Sequence, residues 1–219
     1  MENRAVEIPV GQLKLEGELI IPREAKGLVL FAHGSGSSRK SPRNKYVAHV
    51  LNEAGIATLL FDLLSSEEEA VDEYSKELRF NIELLAERLE KATDWVAKSV
   101  NTKLLSLGYF GASTGAAAAL IAAARTKHPI KAIVSRGGRP DLANSYLSQV
   151  KAPTLLIVGA HDYIVIELNQ EAYALLTCPK ELVIIERATH LFEEEGTLEE
   201  VAKTAAKWFR KCFSKKLYS

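Results

Sequence analysis

The chain has 219 residues, of which 47% are hydrophobic, so it can bury one substantial core and we expect a single domain over residues 1–219. Its 28 basic and 28 acidic residues give a formal net charge of +0, which offers no electrostatic reason to expect nucleic acid or a membrane surface as a partner. Cys178 and Cys212 lack the spacing of a disulfide framework or a zinc site, which is typical of a protein of the reducing cytoplasm.

The first elements are predicted from the spacing of apolar residues. The N-terminus has no apolar core of signal-peptide length, so we expect a soluble, unprocessed protein. Residues Val6 to Ile21 alternate apolar and polar side chains around a Gly11-Gln12 turn, which predicts an antiparallel hairpin. The run Gly27 to Ala32 is apolar throughout, which is typical of a central parallel strand covered on both faces.

A turn, a helix and a second buried strand follow. The turn spans His33 to Ser38, the helix Pro42 to Ala54 and the strand Ile56 to Phe61. The acidic segment Leu63 to Lys76 is interpreted as a solvated loop with at most a short helical turn. Leu78 to Val100 then carries apolar residues on one helical face, which predicts a long amphipathic helix.

The second half of the chain alternates short apolar runs with helical patterns. The predicted elements are a strand at Ile130 to Ser135, a short excursion at Arg136 to Val150, a strand at Pro153 to Val158, a helix at Val165 to Leu176, a strand at Glu181 to Ile185 and a helix at Leu198 to Phe213. This alternation after an antiparallel edge predicts a three-layer α/β fold with a mostly parallel sheet.

The stretch from Leu104 to Ala124 contains the main chemical motif. An apolar run passes into an alanine-rich helix former through Gly111-Ala112-Ser113-Thr114-Gly115, with no room for a loop. This is a Gly-X-Ser-X-Gly sequence in the strand, turn and helix context of a nucleophile elbow, where small neighbours are needed for close packing. Ser113 is therefore a candidate nucleophile; the alternative is a serine that only caps the helix.

Residues at other strand ends complete a candidate catalytic set. The carboxyl ends of parallel strands meet at one edge of a sheet, so Asp162 and His190 are expected near Ser113. A nucleophile, an imidazole base and an orienting carboxylate are the groups that acyl transfer needs, and the order Ser, Asp, His is that of an elbow nucleophile. His161 is an alternative base.

Other acids and the oxyanion donors are assigned less directly. Asp62 and Glu186 are alternative acids to Asp162. The backbone N–H of Thr114 follows the nucleophile and is expected to bind the oxyanion of the tetrahedral intermediate. Ser35, in the glycine-rich turn after the first buried parallel strand, is the predicted second donor.

The same turn permits a dinucleotide-binding interpretation. Residues Gly34 to Arg39 match five of the six positions in Gly-X-Gly-X-X-Gly, and Asp62 ends the next strand. Arg39 stands where the third glycine should permit close packing, and Pro42 lengthens the connection. The NAD(P)-dependent oxidoreductase is therefore the weaker alternative.

Taken together, the motifs resemble the α/β-hydrolase fold and, within it, the dienelactone hydrolase-like group of small esterases. The resemblance rests on HGSGSS, GYFGASTG, VGAHD and ATHLF. It implies an eight-stranded sheet, hydrolysis of a small-molecule ester without a metal or organic cofactor, and a triad of Ser113, Asp162 and His190. The enzymes that name this group use a cysteine nucleophile, so the serine here argues against dienelactone as the substrate.

The segment after the elbow strand bears on the substrate. Only Arg136 to Val150 is available where many α/β-hydrolases insert a helical lid, so we expect an open, shallow site. Arg136 and Arg139 flank two glycines there and could bind an anionic substrate group, or be solvated surface arginines. The predicted function is a serine hydrolase of a small ester or thioester. The alternative from another class is a non-catalytic binding module with the same fold.

Overall fold

The computed structural model of the protein describes residues 1–214, which form an eight-stranded sheet in the order β1-β2-β4-β3-β5-β6-β7-β8. The strands are β1 (Glu2–Val10), β2 (Leu13–Ile21), β3 (Gly27–Ala32), β4 (Ala57–Phe61), β5 (Ser106–Ala112), β6 (Ile130–Arg136), β7 (Thr154–Gly159) and β8 (Lys180–Ile185). The β1–β2 and β2–β4 pairs are antiparallel, and the pairs from β4 to β8 are parallel. The predicted fold class and antiparallel edge are confirmed.

Residues 1–214 form six α-helices, and five of them pack against the two faces of the sheet. The six helices are α1 (Pro42–Glu53), α2 (Ser66–Ser75), α3 (Ile82–Lys98), α4 (Thr114–Arg125), α5 (Tyr163–Leu175) and α6 (Thr197–Ser214). Helices α1 and α6 bury their apolar residues in one core cluster with side chains of the sheet, and α3, α4 and α5 contribute to a second cluster. The two clusters make the three layers that the alternating pattern predicts.

Local sequence explains the central elements. All six residues of β3 and all six of β7 are buried, as continuous apolar runs require. Helix α4 is buried from Thr114 to Ala122, and the alanines of this segment allow its backbone to lie close to the sheet. The elbow therefore joins a central strand to a closely packed helix.

The segment between β4 and α3 differs from its prediction as a loop. Residues Ser66–Ser75 form a full helix, because Ser65 and Glu68 make a reciprocal capping box and Asp72 is buried. The predicted helix from Leu78 to Val100 begins instead as a 3-10 turn at Leu78–Phe80, after which Asn81 caps α3. One apolar stripe does not reveal this break in the backbone.

The region after β6 contains no large lid. A 3-10 segment, Pro140–Gln149, occupies the predicted short excursion and packs on α4 and α5. Within residues 1–214, none of the helices combines the length and apolarity needed to cross a membrane.

Candidate active site

The six parallel strands β3 to β8 end at one edge of the sheet, and predicted site residues stand at or just after four of those ends. Ser113 follows β5, Arg136 ends β6, Asp162 lies after β7, and His190 lies five residues beyond the end of β8. The topology therefore brings together residues that are far apart in the sequence.

Ser113 occupies a strained backbone conformation at the elbow. Its φ of 51° and ψ of −122° lie outside the regions that a non-glycine residue ordinarily adopts. A Cβ atom on Gly115 would lie 2.1 Å from the Ala32 carbonyl oxygen, so only glycine fits there. The Ser113 side chain is half-buried and makes no capping hydrogen bond to α4, which argues against the capping interpretation.

His190 and Asp162 form a direct pair. The His190 Nδ1 atom lies 2.6 Å from the Asp162 Oδ2 atom. Because an ionised carboxylate only accepts hydrogen bonds, Nδ1 carries the proton and Nε2 is left as an acceptor. His161, the alternative base, takes no part in this pair. Its side chain is exposed, and its ring centroid lies 6.5 Å from that of Tyr163.

A short glycine-containing segment connects the elbow with the histidine. The Ser113 N–H donates to the Arg136 carbonyl at 3.2 Å, and the Arg139 N–H donates to the Ser113 carbonyl at 3.1 Å. Gly137 lies between Arg136 and Arg139 in the sequence. A Cβ atom on Gly137 would lie 3.1 Å from the His190 carbonyl oxygen and 3.5 Å from the His190 Nδ1 atom. The nucleophile candidate and the His190–Asp162 pair thus contact the same segment.

The predicted oxyanion loop packs directly against the elbow. A Cβ atom on Gly34 would lie 3.1 Å from the Ser113 Cβ atom. The Ser35 N–H, the predicted second donor, donates to the buried Thr114 hydroxyl at 2.9 Å. Thr114 is the first residue of helix α4, so its N–H has no acceptor within the helix. No local sequence pattern indicates this hydrogen bond or a role for the Thr114 hydroxyl.

His33 holds the loop from its other side. The Leu63 N–H donates to His33 Nε2 at 3.0 Å, so Nδ1 is the protonated nitrogen, and it lies 3.0 Å from the Gly34 carbonyl oxygen. Burial lowers the pKa of the His33 imidazole, although the Gly34 bond and nearby carboxylates oppose this effect. The neutral ring therefore links the loop to the end of β4.

The alternative acids have other surroundings. Asp62 forms an ion pair with Arg39 and also accepts from the Arg39 N–H at 2.7 Å. Both Asp62 oxygens are thereby used, which does not favour the dinucleotide interpretation. Glu186 is exposed.

The two candidate anion-binding arginines have unlike environments. Arg139 is paired with Asp141 through two hydrogen bonds of 2.9 and 2.7 Å. Arg136 is 8% exposed, and its Nη2 atom donates to Asn44 at 3.4 Å, while Nε and Nη1 are buried without a partner among the described residues. Burial, and then the charge of Arg43, lower the pKa of Arg136 to about 10. An anion-binding role for either arginine stays a prediction.

No group of three or more histidine, cysteine or acidic side chains within residues 1–214 is arranged to hold a metal ion.

The fold and the elbow are those of an α/β-hydrolase. A family model described as an alpha/beta hydrolase domain matches residues 25–212, and the chain belongs to this family.

Two solved structures of hydrolases are similar to this chain. The crystal structure of a dienelactone hydrolase from Anabaena variabilis is 58% identical, covers 96% of this chain and 98% of its own, and superposes with a TM-score of 0.95. Est1E from Butyrivibrio proteoclasticus shares the fold at 17% identity, with a TM-score of 0.80 over 96% of this chain and 99% of its own.

A longer relative comes from Mycobacterium tuberculosis H37Rv and carries the provisional name phosphoribosyl transferase. It is 54% identical over 209 residues, which are 95% of this chain but 46% of the relative. The chain thus spans about half the length of this curated relative.

Proposed function

We propose that the protein is a serine hydrolase that cleaves a small ester or thioester through an acyl-enzyme, with Ser113, His190 and Asp162 as its triad. The observation that carries the proposal is the strained Ser113 elbow beside a His190–Asp162 pair 2.6 Å apart. Family membership and the dienelactone hydrolase name of the Anabaena relative support a hydrolase. The name of the longer relative does not support a transferase activity for this chain, because the chain aligns with less than half of that relative.

The proposed chemistry has two stages. His190 Nε2 takes the Ser113 hydroxyl proton as Ser113 Oγ attacks the carbonyl carbon, and the same imidazole then protonates the departing oxygen or sulfur. Water repeats the attack on the acyl-enzyme and releases the acid. Asp162 keeps the ring in the tautomer that accepts at Nε2 and stabilises the charged imidazolium.

The oxyanion needs donors near the elbow throughout both stages. The Thr114 N–H supplies the first. For Ser35 to supply the second, its N–H must leave the Thr114 hydroxyl, to which it donates at 2.9 Å. The proposed site uses no metal or organic cofactor, and its substrate is a small molecule of the cytoplasm.

Fluorophosphonate labelling tests the proposal. The wild-type protein should take up one label per chain, and Ser113→Ala should take up none, because the probe needs an activated serine. His190→Ala and Asp162→Asn should label more slowly by at least about 100-fold, while the exposed-serine control Ser148→Ala labels normally. A folded wild-type protein that refuses the label would instead support the non-catalytic binding module.

A further inference from the structure

The Thr114 hydroxyl lies beside both backbone groups that the proposed reaction offers to the oxyanion. It belongs to the residue whose own N–H is the first of these donors. Its Oγ1 atom accepts from the Ser35 N–H, the second donor, at 2.9 Å. Thr114 is 5% exposed, so its hydroxyl is shielded from bulk water. The side chain therefore borders the place at which the oxyanion would form.

The orientation of the Gly34–Ser35 peptide keeps the Ser35 N–H directed at Thr114. Within residues 1–214 none of the peptide bonds is cis, and in a trans peptide the carbonyl oxygen and the following N–H point in opposite directions. The Gly34 carbonyl oxygen accepts from the Ser37 N–H at 3.2 Å and lies 3.0 Å from His33 Nδ1. Turning this peptide would break both contacts. We therefore expect the Ser35 N–H to stay on the Thr114 hydroxyl during the reaction.

The hydroxyl proton of Thr114 is left for another acceptor. A hydroxyl can donate one hydrogen bond while it accepts others, but within residues 1–214 the bond from Ser35 is the single hydrogen bond of this group. Thr114 is the first residue of α4, so no preceding helical turn offers it a carbonyl oxygen. The other buried threonine hydroxyls each donate to an oxygen atom, and they belong to Thr58, Thr93, Thr102, Thr154 and Thr197.

An acceptor supplied by the substrate would satisfy this proton. A buried donor without an acceptor costs free energy, so the fold favours a state in which one is present. The oxyanion forms on the carbon that Ser113 Oγ attacks, and its donors must surround that position. A Cβ atom on Gly34 would lie 3.1 Å from the Ser113 Cβ atom, so the oxyanion loop, the nucleophile and the adjacent Thr114 enclose one small space.

We propose that the Thr114 hydroxyl is a catalytic residue that donates to the oxyanion while its oxygen accepts from the Ser35 N–H. This inference rests on the proposed serine hydrolase. Ser35 acts through Thr114, because a hydrogen bond received by a hydroxyl strengthens the bond that the hydroxyl donates. The proton stays on Thr114 Oγ1, and proton transfer belongs to His190. The donated bond is stronger to the oxyanion than to the neutral ester carbonyl, so it lowers the barrier.

Two substitutions separate the hydroxyl from the volume of the side chain. Thr114→Val keeps nearly the same shape without a hydroxyl, and Thr114→Ser keeps the hydroxyl. For para-nitrophenyl pentanoate, we expect kcat/KM to fall about 10- to 100-fold in Thr114→Val and to stay within about threefold of the wild-type value in Thr114→Ser. Urea unfolding of each variant measures how much of the protein is folded under the assay conditions.

A trifluoromethyl ketone with a butyl chain gives a second measurement that a purely structural role would not change. Ser113 Oγ adds to its carbonyl carbon and forms a hemiketal whose charged oxygen needs the same donors. Its inhibition constant should therefore rise in Thr114→Val by about the factor by which kcat/KM falls. The control is Thr154→Val, which removes a buried hydroxyl that donates to the Ala152 carbonyl at 2.9 Å at the start of β7. It should change neither value.

The outcomes separate this donor from the reaction itself. A Thr114→Val enzyme that is as active as the wild type overturns the proposal, and a more active one would show that the hydroxyl blocks the Ser35 N–H. A fall in kcat/KM with an unchanged inhibition constant also overturns it, because the oxyanion would then not contact the hydroxyl. If the wild type cleaves no ester and Ser113 takes no label, the proposed function has failed and the catalytic role of Thr114 falls with it.

Discussion

At the scale of single residues, His33 shows how a titratable group can serve position rather than proton transfer. Its two ring nitrogens are occupied by the Leu63 N–H and the Gly34 carbonyl, so neither is available to a substrate. A second proton would place an N–H against the Leu63 N–H, which is itself a donor. The folded state therefore favours the neutral ring.

This preference predicts a loss of stability on acidification. Because burial lowers the pKa of His33 in the folded protein, only the unfolded chain binds the proton just below about pH 6.5, and the free energy of unfolding falls as the pH falls through that range. In His33→Gln this part of the pH dependence should disappear. Urea unfolding at about pH 7.5 and about pH 5 measures it.

The exposed His49→Gln variant is the matched control and should keep the wild-type dependence. An identical pH dependence in wild type and His33→Gln would show that the buried ring does not resist protonation.

At the scale of elements, the elbow depends on backbone contact between α4 and the end of β3. A Cβ atom at position 115 would lie 2.1 Å from the Ala32 carbonyl oxygen and 2.5 Å from that of His33. Both are backbone atoms, which cannot rotate away. The contact also places the oxyanion loop beside Ser113.

Gly115→Ala should therefore both destabilise the protein and prevent labelling of Ser113. We expect a loss of about 3 kcal/mol or more in the free energy of unfolding, because the overpacked atoms belong to the main chain. Gly196→Ala is the control: nothing lies within 4 Å of its Cβ position, and only its φ of 79° opposes a side chain. It should lose about 1 kcal/mol and label normally. Equal losses in the two variants would contradict close packing at the elbow.

The sequence predicts these elements unevenly, for physical reasons. Continuous apolar runs identify β3 and β7, because burial on both faces leaves no polar position. Helix α2 is mostly polar, so its composition indicates a loop, whereas its stability comes from a capping box and from the buried Asp72. Strand ends point to Ser113, Asp162 and His190, whereas the bond from Ser35 to Thr114 joins residues 79 apart and has no local signal.

At the scale of the whole molecule, the formal charges balance, but the charges buried in the interior do not all have a partner of opposite sign. Arg136 carries a positive charge into the layer between β6 and α1, and its one described partner is the neutral Asn44 side chain. Arg88, which is also buried, differs from Arg136 because it forms an ion pair with Glu68. Burying a charge without an opposite charge is costly.

Replacing Arg136 with methionine tests whether its buried charge destabilises the fold and whether it binds the substrate. The pKa of Arg136 is lowered to about 10, so at neutral pH the folded protein bears the full penalty of the buried charge. Arg136→Met should therefore raise the free energy of unfolding by roughly 1 to 3 kcal/mol, whereas the paired Arg139→Met should change it by about 1 kcal/mol or less. Anion binding by Arg136 is one of the two interpretations that the sequence leaves open. If it is right, the more stable variant should show a higher KM for para-nitrophenyl hemisuccinate and an unchanged KM for para-nitrophenyl pentanoate. A loss of stability in Arg136→Met would instead show that the guanidinium makes stabilising contacts that outweigh its burial.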